Sequence, residues 1–114
     1  MSKNEMFESA LRTKRDLAGV FEHDGETGYF YLYETKAAEG QKVVGAIHVL
    51  TGNTDFQEKD ILVQWDALEG LVGLFIRGQL WAAFDGKTHA KYGGNYCANT
   101  QPSIPTEVIH AFDN

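Results

Sequence analysis

Six consecutive residues, Leu71-Val72-Gly73-Leu74-Phe75-Ile76, carry no polar side chain, and they restrict the fold more than any other stretch of this chain. A membrane helix requires roughly 20 such residues, so a run this short belongs to a protein core. It is rich in strand-forming residues, and its lack of alternation marks a central strand covered on both faces. Arg77-Gly78 follows, and then a second β-like run from Gln79 to Asp85. A glycine between two such runs signals a hairpin, because it accepts the positive φ that the turn needs. Strict alternation puts Leu80, Ala82 and Phe84 on one side of this strand and Trp81 and Ala83 on the other.

The neighbouring segments extend the pattern. Gly28 to Thr35 alternates as a strand, with Tyr29, Tyr31 and Tyr33 on one face and Phe30 and Leu32 on the other. Val43 to Thr51 is a second run, with His48 expected on the side of Val44, Ala46 and Leu50. Ile61, Val63 and Trp65 alternate with Leu62, Gln64 and Asp66 in a third. Residues 86–102 are rich in glycine, asparagine and threonine and are expected to be irregular. Ahead of these strands, Ser2-Lys3-Asn4-Glu5 fits a capping box, and Met6, Phe7, Ala10 and Leu11 fall on one helical stripe. A short amphipathic helix over about residues 4–14 is predicted, one that must dock on an apolar surface because alone it is marginal in water. After Pro105, either a short helix or a last strand fits residues 106–112. The expected class is α+β: a mainly antiparallel sheet of five or six strands with a short N-terminal helix, or alternatively a small β-barrel or roll of the same strands. Residues 1–114 are expected to form a single domain, with 1–16 as the helical segment and 17–114 as the β-rich body.

Charge narrows the partners. Sixteen acidic against ten basic residues give a formal net charge of -6. Phosphate-backbone binding needs a lysine and arginine footprint, so direct nucleic-acid binding is not expected, and neither is an anionic membrane surface. Lys3, Arg12, Lys14 and Arg15 outnumber Glu5, Glu8 and Asp16 in the first 16 residues, so the acidity lies in the body. The one cysteine, Cys97, cannot form an intramolecular disulfide, and the first residues hold no apolar signal segment. A cytoplasmic protein is the expectation.

Chemistry-bearing motifs are few. His23, His48, His89 and His110 lack the spacing of a metal-ligand motif, so no metal or other cofactor is expected. Cys97 and His89 share the glycine- and asparagine-rich region and could pair as nucleophile and base, although a free cysteine is more often a small buried hydrophobe. Gly93-Gly94-Asn95 does not complete a phosphate-binding motif. Glu22, Asp24 and Glu26 surround His23 at a turn, a cluster that fits surface charge or the steering of a basic partner. No catalytic residue is assigned, and a non-enzymatic protein is expected.

Tyr29, Tyr31 and Tyr33 are the candidate binding surface. Three rings on one strand face can form a covered rim of the core, but tyrosine is also enriched at interface hot spots. If Phe30 and Leu32 point inward, the tyrosines need another cover, and a second copy of the chain would make a homodimer. Five pieces, Gly28-Tyr29-Phe30-Tyr31, Ala46-Ile47-His48-Val49, Gln64-Trp65, the hairpin from Ile76-Arg77-Gly78 to Phe84-Asp85, and Asn95-Tyr96-Cys97, stand in an order and spacing that resembles a small bacterial domain family of unknown function. The likeness spans roughly residues 28–102 and leaves the N-terminal helix and the tail after Pro102 outside. It implies a bacterial or phage origin and carries over no functional residue. The function expected from these features is that of a small acidic binding protein, an immunity-type or inhibitor protein that caps a basic partner protein. The alternatives are a small-molecule-binding β domain whose cavity is lined by Trp65, Trp81 or the tyrosines, and a self-association module.

Overall fold

The computed structural model describes residues 5–113. It contains β1 (Glu5–Leu11), β2 (Leu17–Asp24), β3 (Thr27–Glu34), β4 (Val43–Thr51), β5 (Ile61–Trp65), β6 (Leu71–Ile76), β7 (Gln79–Asp85), β8 (Lys91–Gly93) and one short helix, α1 (Thr106–His110). The strands form two antiparallel meanders, β1-β2-β3-β4 and β5-β6-β7-β8, stacked face to face. The expected single sheet of five or six strands, and the barrel or roll of the same strands, are both replaced by this two-sheet arrangement. The molecule measures 37 × 35 × 20 Å, the thin dimension being that of two stacked layers.

No N-terminal helix forms among the described residues. The stripe Met6, Phe7, Ala10, Leu11 also satisfies a strand, because Met6 and Ala10 then face the core while Phe7 and Leu11 face outward. Long-range pairing decides between the two. Leu17–Asp24 offers a full partner strand in register from Glu5↔Asp24 to Leu11↔Ala18. A helix of about ten residues is marginal, whereas each of these strand residues gains a ladder neighbour, and Met6 and Ala10 gain inward contacts. The Ser2–Glu5 capping box begins outside the described residues. Of the two possibilities after Pro105, the helix is found.

The core lies between the sheets. Phe21, Phe30, Leu32, Val49, Val72, Leu74 and Phe84 are fully buried there, and the rings of Phe30 and Phe84 sit 5.4 Å apart across the layers. His23 is the buried polar residue at one end of this core. Its ring nitrogens meet backbone groups of two turns: the Gly25 N–H donates to Nδ1 at 3.1 Å, and Nε2 lies 3.0 Å from the Gly52 carbonyl oxygen. The His23 cluster is therefore not all surface charge, since its histidine is a core residue.

The expectation for Leu71–Ile76 holds on both faces. Val72, Leu74 and Ile76 enter the inter-sheet core. Leu71 and Phe75 face the other way and are covered by the C-terminal segment, where Val108 is buried and the Phe112 ring meets Phe75 edge-on at 5.3 Å. Bulges correct two alternation patterns. Leu74 pairs with Ala82 but Phe75 pairs with Leu80, leaving Trp81 as an inserted residue. Trp81 therefore joins Ala82 and Phe84 in the main core, while Leu80 joins Ala83 beneath the C-terminal segment. In β4 the register shifts at two points, so Val49 and Leu50 are both buried and Val44 packs on the core. His48 is left with Ala46 on the outer side.

Other parts of the chain touch both edges of the first sheet. Along β1 the Phe7 N–H donates to the Glu58 carboxylate at 2.9 Å, and the Ala10 carbonyl accepts the Trp65 indole N–H at 2.9 Å. Along β4 the Asn95 and Tyr96 N–H groups donate to the carbonyls of His48 and Val49 at 3.1 and 2.6 Å. These contacts occupy part of each edge.

Sheet separation depends on close approach at Gly45, where an added Cβ would stand 2.6 Å from Cε1 of Phe84. Phe84 is fully buried and packs against Phe30, so little space is open for its ring to yield. Gly45→Ala is expected to lower stability by about 1–3 kcal/mol through overpacking. In a Phe84→Leu background the same substitution is expected to cost measurably less, because the obstructing ring is gone. Chemical denaturation of the four proteins checks this, and additive losses would contradict the contact.

Candidate functional site

The two sheets differ on their outer faces. The outer face of the second sheet is covered by Ile104, Val108 and Phe112. No described element covers the outer face of the first sheet. Inward Phe30 and Leu32 direct Tyr29, Tyr31 and Tyr33 to this face, where all three rings are half-buried. Register places their neighbours. Phe7, Glu22, Tyr29 and His48 lie side by side across the sheet, then Ser9, Val20, Tyr31 and Ala46, then Leu11, Ala18, Tyr33 and Val43. Phe7, Leu11 and Val43 are 54%, 43% and 51% exposed, unusual values for large apolar side chains grouped on one surface. Tyr29, Tyr31 and Tyr33 thus contribute one strand of a larger outer face. Phe7 and Leu11 were missed because they were assigned to a helix, which would have buried them.

The rings are ordered among themselves. Tyr29 and Tyr31 stack with centroids 5.8 Å apart and planes within 16°, and His48 meets Tyr29 edge-on at 5.4 Å. The Nε2 atom of His48 lies 2.8 Å from the Thr51 hydroxyl, which fixes the imidazole beside the stack. Pre-ordered aromatic rings lose little conformational freedom when a partner covers them. The face is also acidic: Glu22 lies within it, and Glu5 pairs with Asp24 at one end. Partial burial, with the negative field of Glu22, pushes the Tyr31 hydroxyl above the ordinary tyrosine value. None of the face positions named here is lysine or arginine.

Beside this face, at the acidic end, a depression of about 410 Å³ is lined by His48, Thr51, Asn53, Asp55, Tyr96 and Cys97 among others. The Tyr96 hydroxyl donates to Asp55 at 2.7 Å, and Arg77 approaches the same carboxylate at 3.7 Å. The Tyr96 ring is anchored edge-on against Trp81 and Phe56, at 4.7 and 5.2 Å. Burial first, and the bond to Asp55 second, push its hydroxyl up to about 12. Asp55 and Tyr96 are far apart in the chain, and no local motif announces their meeting.

The structure does not bring Cys97 and His89 together. His89 follows β7 in the turn before β8, whereas Cys97 follows β8 at the opposite end, and they line different depressions. Cys97 is exposed rather than buried. Among the described residues no group of three or more histidine, cysteine or acidic side chains is placed to hold a metal ion. Trp65 and Trp81 are both core residues. No helix among the described residues is long and apolar enough to cross a membrane.

The Tyr96 environment has a measurable signature. Its folded value lies above the ordinary 10.0, so the protein is stabilised while the hydroxyl stays protonated, and this contribution is lost as pH rises from about 10 to about 12. Ultraviolet titration is expected to show one of the five tyrosines ionising last, and Tyr96→Phe is expected to remove that phase. The stability difference between wild type and Tyr96→Phe should shrink across the same window.

No curated protein and no solved structure matches this chain. A family model described as an uncharacterized protein conserved in bacteria (DUF2251) matches residues 1–111, so the match takes in the N-terminal strands and most of the C-terminal tail that the resemblance had left outside. The chain belongs to this bacterial family.

Proposed function

We propose that this chain is a non-enzymatic binding protein that caps a basic partner protein, in the manner of an immunity-type or inhibitor protein, and that it does so with the outer face of its first sheet. One observation carries this reading: the outer faces of the two sheets are both apolar, yet only the second is covered by the chain's own C-terminal segment. Exposed Phe7, Leu11 and Val43, together with Tyr33 and the Tyr29–Tyr31 stack, supply the kind of large aromatic and apolar contact area from which binding hot spots are made. Glu5, Glu22 and Asp24 favour an occupant that brings lysine or arginine beside its own apolar patch.

Capture of a partner from a bacterial host tests the reading when the bait carries face variants. Tyr31→Ala and Val20→Glu are each expected to weaken capture about tenfold or more, because both sit at the centre of the face. Leu62→Glu alters an exposed leucine on the second sheet and is expected to leave capture unchanged. The captured protein should be basic, and its association rate should fall as salt rises. Capture that survives both face variants, or that ignores salt, would overturn the proposal.

A further inference from the structure

We propose that residues 102–113 are a detachable strap, and that the outer face of the second sheet beneath it is a docking groove for a short helical peptide segment of a partner protein. The strap occupies this groove in cis and must leave before the peptide enters. The inference is independent of the reading given to the first sheet.

Other irregular segments are tied down by polar bonds. Glu69 holds the β1–β2 turn, its carboxylate accepting the Thr13 N–H at 3.1 Å and the Thr13 hydroxyl at 2.8 Å. Asn95 and Tyr96 donate two backbone bonds to β4. The C-terminal segment differs. Its last polar tie is at Gln101, whose side-chain oxygen accepts from the Gln79 amide at 3.0 Å. Among the described residues, the hydrogen bonds of residues 102–113 run only within the segment itself. What holds it down is apolar: Ile104, Val108 and Phe112, four residues apart, pack with Leu71, Phe75, Leu80 and Tyr92. Of those three anchors only Val108 is buried, while Ile104 and Phe112 are half-buried. The helix α1 has five residues and no side-chain cap at Pro105, so it is marginal by itself. Ordering about a dozen residues opposes what three apolar side chains contribute, which leaves the docked strap a narrow margin. Such segments open locally, below the free energy of global unfolding.

The groove has a shape as well as an apolar lining. At Gly73 an added Cβ would stand 2.9 Å from Cζ of Phe112, so bare backbone forms the floor of a slot for that ring, and Phe75 meets the ring edge-on. At Gly93 an added Cβ would stand 3.0 Å from Cδ1 of Ile104, so a second stretch of bare backbone seats the aliphatic anchor. The occupant that fits is therefore a segment with an aliphatic side chain, another four residues on, and an aromatic ring four residues beyond that. This is the spacing by which an amphipathic helix enters a groove. The strap does not fill the whole surface. Leu71, Tyr92 and Val108 line an adjoining depression of about 610 Å³, where a partner peptide gains contacts that the strap does not make.

Native-state hydrogen exchange on the full chain tests the strap. The amides of Val108, Ile109, Ala111 and Phe112, all bonded within the segment, are expected to be about 100-fold less protected than those of β6. Their protection is expected to be insensitive to low denaturant, which lowers that of β6. A fluorescently labelled peptide of residues 102–113 tests the groove. It is expected to bind full-length Phe112→Ala and Ile104→Ala chains about tenfold more tightly than wild type, because a weakened strap leaves more of the groove open. A peptide that itself carries Phe112→Ala is expected to lose that binding. Both full-length variants are expected to keep their β6 protection. Three results would overturn the inference: strap amides that exchange only together with β6, strap variants that lose β6 protection, or a peptide that binds all chains alike or none. Partner capture through the first sheet is expected to be unchanged in Ile104→Ala, so the two proposals fail separately.

Discussion

The two sheets can stack because the first one lacks side chains at two places where the second one is bulky. At Gly19 a Cβ would lie 2.5 Å from Cγ2 of Val72, and at Gly45 it would lie 2.6 Å from the Phe84 ring. Val72 and Phe84 stand on adjacent strands and are both fully buried. Their insertion against bare backbone brings Phe84 onto Phe30 and seats Val72 over β2. Interiors pack at crystal-like density, so this fit determines how the inward faces meet and which residues remain for the outward ones. Once Phe21, Phe30 and Leu32 are committed inward, period-two geometry sends Glu22, Tyr29, Tyr31 and Tyr33 outward. The candidate face is thus the reverse side of the core.

The part of this plan visible in the sequence was the part with unbroken period. The β3 alternation and the continuous apolar run of β6 each point to a single arrangement, and both are found. Bulges hid the rest. A single inserted residue at Trp81 or Val49 shifts the phase of everything beyond it, so strict alternation misplaced Leu80 and Leu50. In β2 two of the four inward positions are Gly19 and His23, neither of which looks like a core residue in sequence. Gly19 is inward because Val72 needs the room, and His23 because two turns supply backbone partners for its ring. Without β2 as a visible strand, β1 had no partner, and its stripe was read with helical period. Local pattern could not distinguish these cases, because the deciding contacts come from other strands and turns.

The same reasoning separates the two outer faces. Leu71 and Phe75 would be exposed on the second sheet if the chain ended at β8, but Ile104, Val108 and Phe112 return over them. The first sheet receives no such return from the described residues, and its apolar members Phe7, Leu11 and Val43 stay open to solvent. Scattered exposed leucines, such as Leu68 in the β5–β6 turn, call for no account. Phe7, Leu11 and Val43 differ because register places them on the same sheet face as the three tyrosines.

The net charge of -6 conceals an arrangement that only the topology exposes. Along the first meander the connections alternate in sign: basic at Lys14 and Arg15, acidic at Asp24 and Glu26, basic at Lys36 and Lys42, then acidic at Asp55, Glu58 and Asp60. Read linearly, these charges average out, and only a mild acidity remains. Antiparallel pairing sorts them, because every second connection returns to the same end of the sheet. The strands between them hold seven to nine residues, so the two ends are separated by roughly 20–30 Å. That distance exceeds the screening length of about 8 Å at physiological salt, so the ends do not neutralise one another. Partners within each end reduce these charges, as Arg77 does for Asp55 and Asp60 at 3.7 and 3.9 Å and Arg12 for Asp16 at 2.7 Å.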